Sequence, residues 1–335
     1  MKRRIALTMA ALLVAVASTG FAQAPLVIRF SHVVAVNTPK GKGAERFKQL
    51  AEKAGGGRIK VEVFPNSTLY KDKEELEALQ IGAVQMLAPS LAKFGPLGVR
   101  EFEVFDLPYI FPTEASLHRV TQGPVGQEMF KLLEPKGITG LAYWDNGFKV
   151  MHANKILKAP ADFRGMKMRI QSSRVLDAQM RALGANPQVL AFSEVYQALQ
   201  TGVVDGAENP PSNVYSQKMH EVQKYISLTN HGVIEYAVIT NTKFWNGLPP
   251  DIRKILETAL NEATVYANSI AAQENQDAID AMKKSGLTTI YTPTAAEKEA
   301  LRVALLPVHK EMEGRIGKDL LAKINKAVAE PPAGK

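Results

Sequence analysis

Three side chains at or near the ends of predicted strands have the chemistry to hold an organic acid. Arg169 lies in the segment KMRIQSS, Phe192 ends the predicted strand 188–192, and Asn209 ends the strand after ALQTGVV. A planar guanidinium binds a carboxylate through two hydrogen bonds, a neutral amide completes the hydrogen bonding of its oxygens, and an aromatic ring contacts the apolar part. This set of side chains binds an acid and supplies no reactive group.

Alternation along KMRIQSS leaves two interpretations of Arg169 open. Met168 and Ile170 alternate with Lys167, Arg169 and Gln171, which is the period of a strand with one apolar face. The polar face either meets water, which makes Arg169 an ordinary solvated charge, or faces a cleft in which Arg169 binds an anion. Because Lys167 lies on the same face, alternation does not separate the two basic residues.

Lys149 is a further basic residue beyond a predicted strand. It follows the apolar run 137–144 through Asp145-Asn146-Gly147, whose composition predicts a turn.

A search for catalytic and metal-binding patterns gives nothing specific. The chain has no cysteine, so thiol catalysis is excluded, and it has no nucleotide-binding glycine loop, nucleophile elbow or zinc-protease motif. The six histidines show no paired metal spacing. We therefore expect no metal and no cofactor. The alternative from another class is an exported hydrolase or isomerase using Asp205, Glu208 and His32, although a cap or turn role suits the two carboxylates better.

The first residues predict export from the cytoplasm. A basic start at residues 2–4 precedes the apolar stretch 5–17, and small residues follow, so residues 1–24 are predicted to be a signal peptide cleaved after Ala22 or Ala24. Without disulfides, the rest of the chain must be stabilised by a hydrophobic core, and its length favours two lobes. Three of the positive charges behind the net +8 belong to this leader, and no basic block occurs, so nucleic acid is not an expected partner.

Strand-like and helix-like stretches alternate along the chain, which predicts an α/β protein with mostly parallel sheets. The stripe of apolar residues in 250–284 predicts a long helix that spans both lobes. Thr294 and Glu297 form a capping-box pattern at the start of a late helix. The predicted strands are 26–33, 58–64, 84–88, 137–144, 167–171, 188–192 and 235–241, and the other predicted helices include 39–54 and 72–81.

A short internal repeat relates two halves of the chain. Residues 78–84 are ALQIGAV and residues 198–204 are ALQTGVV. Each copy predicts a helix that ends at a glycine, followed by an apolar strand. Ser90 follows the first strand and Asn209 ends the second, so the repeat predicts that two strand ends face each other. Ligands of open α/β sheets bind at such ends.

Several long motifs, in the same order, resemble those of solute-binding proteins of tripartite ATP-independent periplasmic (TRAP) transporters, of the dicarboxylate-receptor type. The resemblance covers essentially the whole chain after the leader. The motifs are LYKDKEELEALQIGAVQML, LAPSLAKFGPLG, FDLPYIF, YWDNGFKVM, ADFRGMKMRIQSS and ALQTGVVDGAENP.

The resemblance implies a two-lobed α/β periplasmic binding fold with a central cleft, hinge segments and a long helix spanning both lobes. It implies residues 25–147 mainly in lobe 1, 148–235 mainly in lobe 2, a return strand and spanning helix in 236–284, and a C-terminal segment, 285–335, packed on the lobes. The cleft would close on an organic acid and deliver it to the membrane subunits of a TRAP transporter. We expect a monomer.

The resemblance also assigns site residues. It places the carboxylate-binding role on Arg169, with Asn209 as its amide partner and Phe192 as the aromatic wall. Lys149 matches a second basic position at which some members have arginine.

Three further positions match places that often line the cleft or could meet a second carboxylate: His32, Ser90 and Lys71. The ligand stays open between a C4-dicarboxylate and an aromatic or branched monocarboxylate, because lysines favour the first and nearby aromatic residues leave room for the second. A sensor that docks on a membrane receptor is a further alternative that the sequence does not exclude.

Overall fold

The structure is a computed structural model, which describes residues 24–331. Apart from Ala24, the predicted signal peptide lies outside the described residues, as do the last four residues of the chain.

The described residues contain eleven strands and twelve α-helices. The strands are β1 Leu26–Ser31, β2 Ile59–Phe64, β3 Met86–Leu87, β4 Ile138–Phe148, β5 Val150–Ala153, β6 Lys167–Ile170, β7 Asn186–Val189, β8 Gly206–Asn209, β9 Tyr225–Ser227, β10 Val233–Asn241 and β11 Thr289–Tyr291. The helices are α1 Pro39–Gly55, α2 Glu74–Gln80, α3 Glu114–Thr121, α4 Pro124–Lys131, α5 Arg174–Ala182, α6 Val195–Gln200, α7 Pro211–Ser216, α8 Thr242–Asn246, α9 Pro250–Ser285, α10 Ala295–Leu305, α11 Pro307–Ile316 and α12 Lys318–Ala329.

The strands form two separate sheets, one in each lobe. The first has the order β2-β1-β3-β10-β4 and the second has the order β11-β9-β5-β8-β6-β7. The prediction of a two-lobed α/β fold is confirmed. Among the described residues, five of the nine strand pairings are parallel, as expected of the majority, but both sheets are mixed. β10 runs antiparallel to both β3 and β4, and β5 runs antiparallel to both β8 and β9. The antiparallel strands are those that follow a crossing between the lobes. β5 enters the second sheet directly after β4 of the first sheet, and β10 enters the first sheet after β9 of the second.

The chain crosses between the sheets at three places. β4 passes into β5 through Lys149 alone, β9 returns to β10 through residues 228–232, and α9 leads from the first lobe to β11 in the second. The first two crossings lie side by side, since the backbone N–H of Lys149 donates to the carbonyl of Gly232 over 2.8 Å. The predicted turn at Asp145-Asn146-Gly147 is wrong, because β4 continues through these residues to Phe148.

Local sequence explains the ends of the principal helices. The Thr38 hydroxyl accepts from the backbone N–H of Gly41 at the start of α1, and Pro39 occupies the first turn. Helix α9 has 36 residues, begins at Pro250 and ends at Gly286 in the left-handed conformation. The predicted capping box at Thr294 and Glu297 is confirmed at the start of α10.

The internal repeat has the predicted structure in both lobes. Helix α2 is followed by Gly82 with φ of 79°, and helix α6 is followed by Gly202 with φ of 72°. A short buried strand follows each glycine, β3 in the first sheet and β8 in the second. The repeat therefore places Ser90 and Asn209 at corresponding strand ends.

Four clusters of buried apolar residues stabilise the two lobes. One side of the first sheet packs on α1 and α9, and the other side packs on α3, α4 and the C-terminal helices α11 and α12. The second sheet is likewise covered on both faces, with α10 contributing Leu301 and Leu305. Among residues 24–331, no helix combines the length and apolar character required to cross a membrane.

Candidate functional site

A small cavity lies between the two sheets. Its lining comes from both lobes, chiefly from residues at strand ends. A larger pocket of about 250 Å³ adjoins it and shares Asp72, Lys93, Arg169 and Gln171 with the cavity. The residues that line the cavity are Val33, Val34, Asp72, Ser90, Lys93, Arg169, Gln171, Phe192, Asn209, Asn213, Ile234 and Tyr236.

Arg169 is a buried cation on the wall of this cavity. The side chain is 1% exposed, and its Nε and Nη2 donate to the carbonyl oxygen of Leu190 over 3.0 and 2.8 Å. These bonds fix one edge of the guanidinium, and its Nη1 donates to no residue in the described part of the chain. The guanidinium carbon lies 5.9 Å from the centre of the Phe192 ring. The arrangement presents a fixed cationic edge to an anion in the cavity.

Strand position explains why Arg169 and Lys167 differ although they share a face. Lys167 begins β6 and its ammonium donates to the carbonyl of Gly202 at the surface, over 2.9 Å. Arg169 lies two residues further, between β7 and β8, where the second lobe meets the first. Of the two interpretations of Arg169, the structure supports the cleft and not the solvated surface.

Asn209 ends β8 within a network of polar side chains. Its Oδ1 accepts from Nδ2 of Asn213 over 2.9 Å, and the same Nδ2 lies 3.3 Å from the hydroxyl of Tyr236. That hydroxyl also accepts from Nδ2 of Asn146 over 2.9 Å. Because Tyr236 belongs to the first sheet and Asn209 to the second, the network holds the Asn209 amide at the junction of the lobes.

Two hydrogen bonds join the lobes across the cavity. The Ser90 hydroxyl donates to Oε1 of Gln171 over 2.5 Å. The backbone N–H of Phe192 donates to Oδ2 of Asp72 over 2.7 Å. Phe192 does not end a strand as predicted, because β7 stops at Val189 and Phe192 begins a 3₁₀ turn.

Lys93 is a second cation on the cavity wall. It belongs to the first lobe, whereas Arg169 belongs to the second. Its ammonium lies 2.6 Å from Oδ1 of Asp72 and 2.6 Å from Oε1 of Glu75. Burial alone would raise the pKa of Asp72, but the charges of Lys93 and then Arg169 outweigh it and lower that pKa to about 2. Asp72 is thus a carboxylate held between the two cations.

Two further buried titratable side chains, Lys40 and Glu75, lie behind this wall. The Lys40 ammonium donates to the carbonyl of Ala88 over 2.8 Å and lies 3.7 Å from the centre of the Tyr236 ring. Burial, reinforced by repulsion from Lys93, lowers the pKa of Lys40 to about 7. Burial also raises the pKa of Glu75, although Lys93 opposes the shift.

Lys149 lies at the lobe crossing and not on the cavity wall. It is fully buried, and its ammonium donates to Oε1 of Glu208 over 2.7 Å. Oε2 of Glu208 is bonded to Nε2 of His231 over 2.7 Å and accepts from Nε2 of Gln179 over 3.0 Å. Burial would raise the pKa of Glu208, but Lys149 and the His231 hydrogen bond outweigh it and lower that pKa. The charge of Lys149 is therefore balanced within the protein.

His32 and Lys71 also lie outside the cavity lining. His32 is fully buried beside Phe30, and neither ring nitrogen has a partner among the described residues. Burial and, to a lesser extent, Lys40 lower the pKa of His32 to about 3, so the ring is neutral. Lys71 is about half exposed and lies 3.1 Å from Glu194 of the other lobe. Of the seven predicted site residues, Arg169, Asn209, Phe192 and Ser90 are brought together.

The three groups of the enzymatic alternative do not share a site. Asp205 accepts from the backbone N–H of Lys167 over 2.7 Å, Glu208 is bonded to Lys149, and His32 lies beneath the first sheet. Within residues 24–331, no three histidine, aspartate or glutamate side chains are grouped in a way that could hold a metal ion.

Sequence reasoning missed Asp72, Lys93, Gln171, Asn213 and Tyr236 as cavity residues. Gln171 carried a usable signal, because it follows Arg169 at the spacing that places both on one strand face. Asp72 and Lys93 lie within motifs of the resemblance, but nothing in the pattern marked either as buried.

Two lobes, a cavity between strand ends and a buried arginine on its wall define a two-lobed solute-binding protein of the periplasmic type. The sequence model described as "Bacterial extracellular solute-binding protein, family 7" matches residues 30–315. The chain belongs to this family, and it is a periplasmic receptor of the TRAP type, as the motifs predicted.

Several proteins with named ligands are similar to the chain in sequence and structure. It is 64% identical over 306 residues to the C4-dicarboxylate-binding periplasmic protein DctP of Rhodobacter capsulatus, covering 91% of this chain and 92% of that protein. A TRAP periplasmic solute-binding protein of Shewanella oneidensis, solved with bound succinate, superposes with a TM-score of 0.89 at 43% identity, covering 91% of this chain and all of that one. Another, from Pseudomonas aeruginosa with bound L-malate, has a TM-score of 0.83 at 44% identity, covering 86% of this chain and all of that one.

Proposed function

We propose that this chain binds C4-dicarboxylates such as succinate and malate and delivers them to the membrane subunits of a TRAP transporter. One carboxylate of the ligand is bound by Arg169, with Asn209 and Ser90 beside it and the Phe192 ring against the carbon chain. The observation that carries the proposal is the Arg169 guanidinium, which is buried on the cavity wall and whose hydrogen bonds to the described residues go to the neutral Leu190 carbonyl alone. A buried charge without a hydrogen-bonded counter-ion is costly, so an anionic ligand stabilises the closed cleft.

Cavity size and the relatives support this ligand class over larger acids. Pockets for drug-sized ligands enclose roughly 300–1,000 Å³. The pocket of about 250 Å³ that adjoins the cavity and shares Arg169 with it suits a smaller molecule. The relatives described above carry C4-dicarboxylate names or bound C4 diacids.

Calorimetric titration of the purified chain with succinate, L-malate, butyrate and benzoate tests the proposal. The two diacids should bind at least 100-fold more tightly than either monocarboxylate, and Arg169→Ala should abolish diacid binding without lowering the melting temperature of the ligand-free protein. The exposed Arg181 provides the matched control, Arg181→Ala, which should bind as the wild type does. Preference for benzoate, or diacid binding that survives Arg169→Ala, would overturn the proposal.

We also propose that the chain releases its ligand unchanged. Asp205 and Glu208 lie outside the cavity lining and are hydrogen-bonded to Lys167 and Lys149, which supports binding without reaction. NMR spectra of succinate and L-malate held with the protein for a day should show only the starting acids. Any new resonance that depends on protein concentration would favour the enzymatic alternative.

A further inference from the structure

Lys93 has one N–H donor without a partner among the described residues. A lysine ammonium has three N–H donors. Two of them are accounted for by Asp72 and Glu75, each 2.6 Å from the nitrogen. Lys93 is only 6% exposed, yet it lines both the cavity and the adjoining pocket. The third donor therefore has the ligand space as its partner.

Charge balance around the cavity favours an incoming anion beside Lys93. The buried cations that line the cavity are Lys93 and Arg169, and the carboxylates beside Lys93 are Asp72 and Glu75. Burial raises the pKa of Glu75, which weakens the negative charge beside Lys93. A monocarboxylate bound by Arg169 would leave Lys93 with these internal partners alone, whereas a dicarboxylate would bring a second carboxylate to it.

Lys93 and Arg169 reach the cavity from different lobes. Lys93 ends the 3₁₀ segment Leu91–Lys93 just after β3, and Arg169 lies on β6. Asp72 lies between them, attracted by both charges, which marks the space between the two cations as favourable for carboxylates.

We infer that Lys93 is the residue that selects a dicarboxylate over a monocarboxylate, by binding the carboxylate that Arg169 does not hold. The inference rests on the proposed function and names its specificity determinant. It gives Lys93 the role that the sequence suggested for Lys71, whose ammonium lies at the surface against Glu194. The alternative is that Lys93 serves only as the counter-ion of Asp72 and Glu75. In that case, replacing Lys93 should weaken the binding of monocarboxylates as much as that of dicarboxylates.

The test is the ratio of succinate to butyrate affinity, measured by calorimetric titration or by ligand-induced thermal shifts. Lys93→Gln should weaken succinate binding by roughly 30-fold or more and change butyrate binding by less than about threefold, because only the diacid has a group for Lys93. Lys93→Arg should retain most of the preference. A merely structural lysine would weaken both acids equally, and an unchanged ratio would overturn the inference.

Further variants keep the result interpretable. Lys93→Gln leaves Glu75 buried beside a neutral amide, so the double variant Lys93→Gln/Glu75→Gln removes that charge and should show the same loss of preference in a stable protein. Lys60→Gln, at an exposed lysine paired with Glu62 in the same sheet, should leave both affinities unchanged. Loss of the preference in Lys71→Gln and not in Lys93→Gln would return the role to Lys71.

The failure of this inference differs from failure of the proposed function. Wild-type protein that binds succinate tightly while Lys93→Gln keeps the full preference would sink the inference alone. Wild-type protein that binds neither succinate nor L-malate would overturn the proposed function, and the role of Lys93 with it.

Discussion

The hydroxyl of Ser90 donates to Oε1 of Gln171 over 2.5 Å, joining the segment after β3 in one lobe to the segment after β6 in the other. Both residues line the cavity, so the bond lies beside the proposed ligand position. Separation of the lobes at this point would break the bond. Ser90 therefore contributes to affinity through closure even without a contact to the ligand.

We expect Ser90→Ala to weaken succinate binding by about fivefold, since one buried hydrogen bond contributes about 1 kcal/mol. Titration calorimetry measures the change, and small-angle scattering should show a larger fraction of open protein at subsaturating ligand. Ser269→Ala, at an exposed serine on α9, is the control. An unchanged dissociation constant for Ser90→Ala would show that the bond does not contribute to closure.

Arg169→Lys tests the geometry of the guanidinium separately from its charge. A single ammonium cannot donate twice to the Leu190 carbonyl and also present a fixed edge to a carboxylate. We expect at least a tenfold loss of succinate affinity although the charge is kept. Arg181→Lys, on the exposed face of α5, should have no effect, and wild-type affinity for Arg169→Lys would mean that charge alone is recognised.

The buried pair of Lys149 and Glu208 should matter for stability. Removal of one partner leaves a buried, uncompensated charge, which costs about 3–5 kcal/mol. We expect Lys149→Met to lower the free energy of unfolding by that amount in denaturant titrations, and Lys149→Met/Glu208→Gln to recover part of the loss. Lys254→Met, at an exposed position on α9, is the control. If Lys149→Met were as stable as the control, the pair would not be needed for stability.

Asp106 should make stability depend on pH. It is buried, and burial outweighs the opposing charge of Lys149 to raise its pKa to about 7. The folded state therefore holds the proton more tightly than the unfolded state, whose carboxyl has its ordinary pKa near 3.8. The stability that this proton provides is complete below pH 4 and is lost as the pH rises towards 7.

Asp106→Asn removes this dependence. Relative to wild type, the variant should gain about 1–3 kcal/mol of unfolding free energy between pH 5 and pH 8. Denaturant titrations at the two pH values measure the gain, with Asp319→Asn at an exposed position of α12 as the control. A difference between variant and wild type that is the same at both pH values would contradict the shifted pKa.

Particular residues show how far sequence reasoning reaches. The repeat ALQIGAV/ALQTGVV placed Ser90 and Asn209 at corresponding strand ends, because a glycine after a helix and a short apolar run determine the local path of the chain. Arg169 was identified by the motif of the resemblance, because alternation did not separate it from Lys167. These features depend on neighbours within a few residues.

The roles of three lysines could not be predicted from the sequence in the same way. Lys149, Lys93 and Lys71 each lie near the end of a local element, and only the fold decides which is buried and by what it is neutralised. The partner of Lys149 is 59 residues away, and that of Lys71 is 123 residues away. The mixed sheets were missed for the same reason, since the direction of β5 and β10 is set by lobe crossings and not by their own residues.

Helix α9 has a consequence for how the protein unfolds. Its first half, including Leu256 and Leu260, belongs to the core of the first lobe, while Met282 near its end belongs to the core of the second. A continuous helix gains most of its stability from the surfaces on which it packs, so loss of either core removes support from the other. Two lobes with separate cores should therefore melt as one cooperative unit, and a single calorimetric transition is the expected signature.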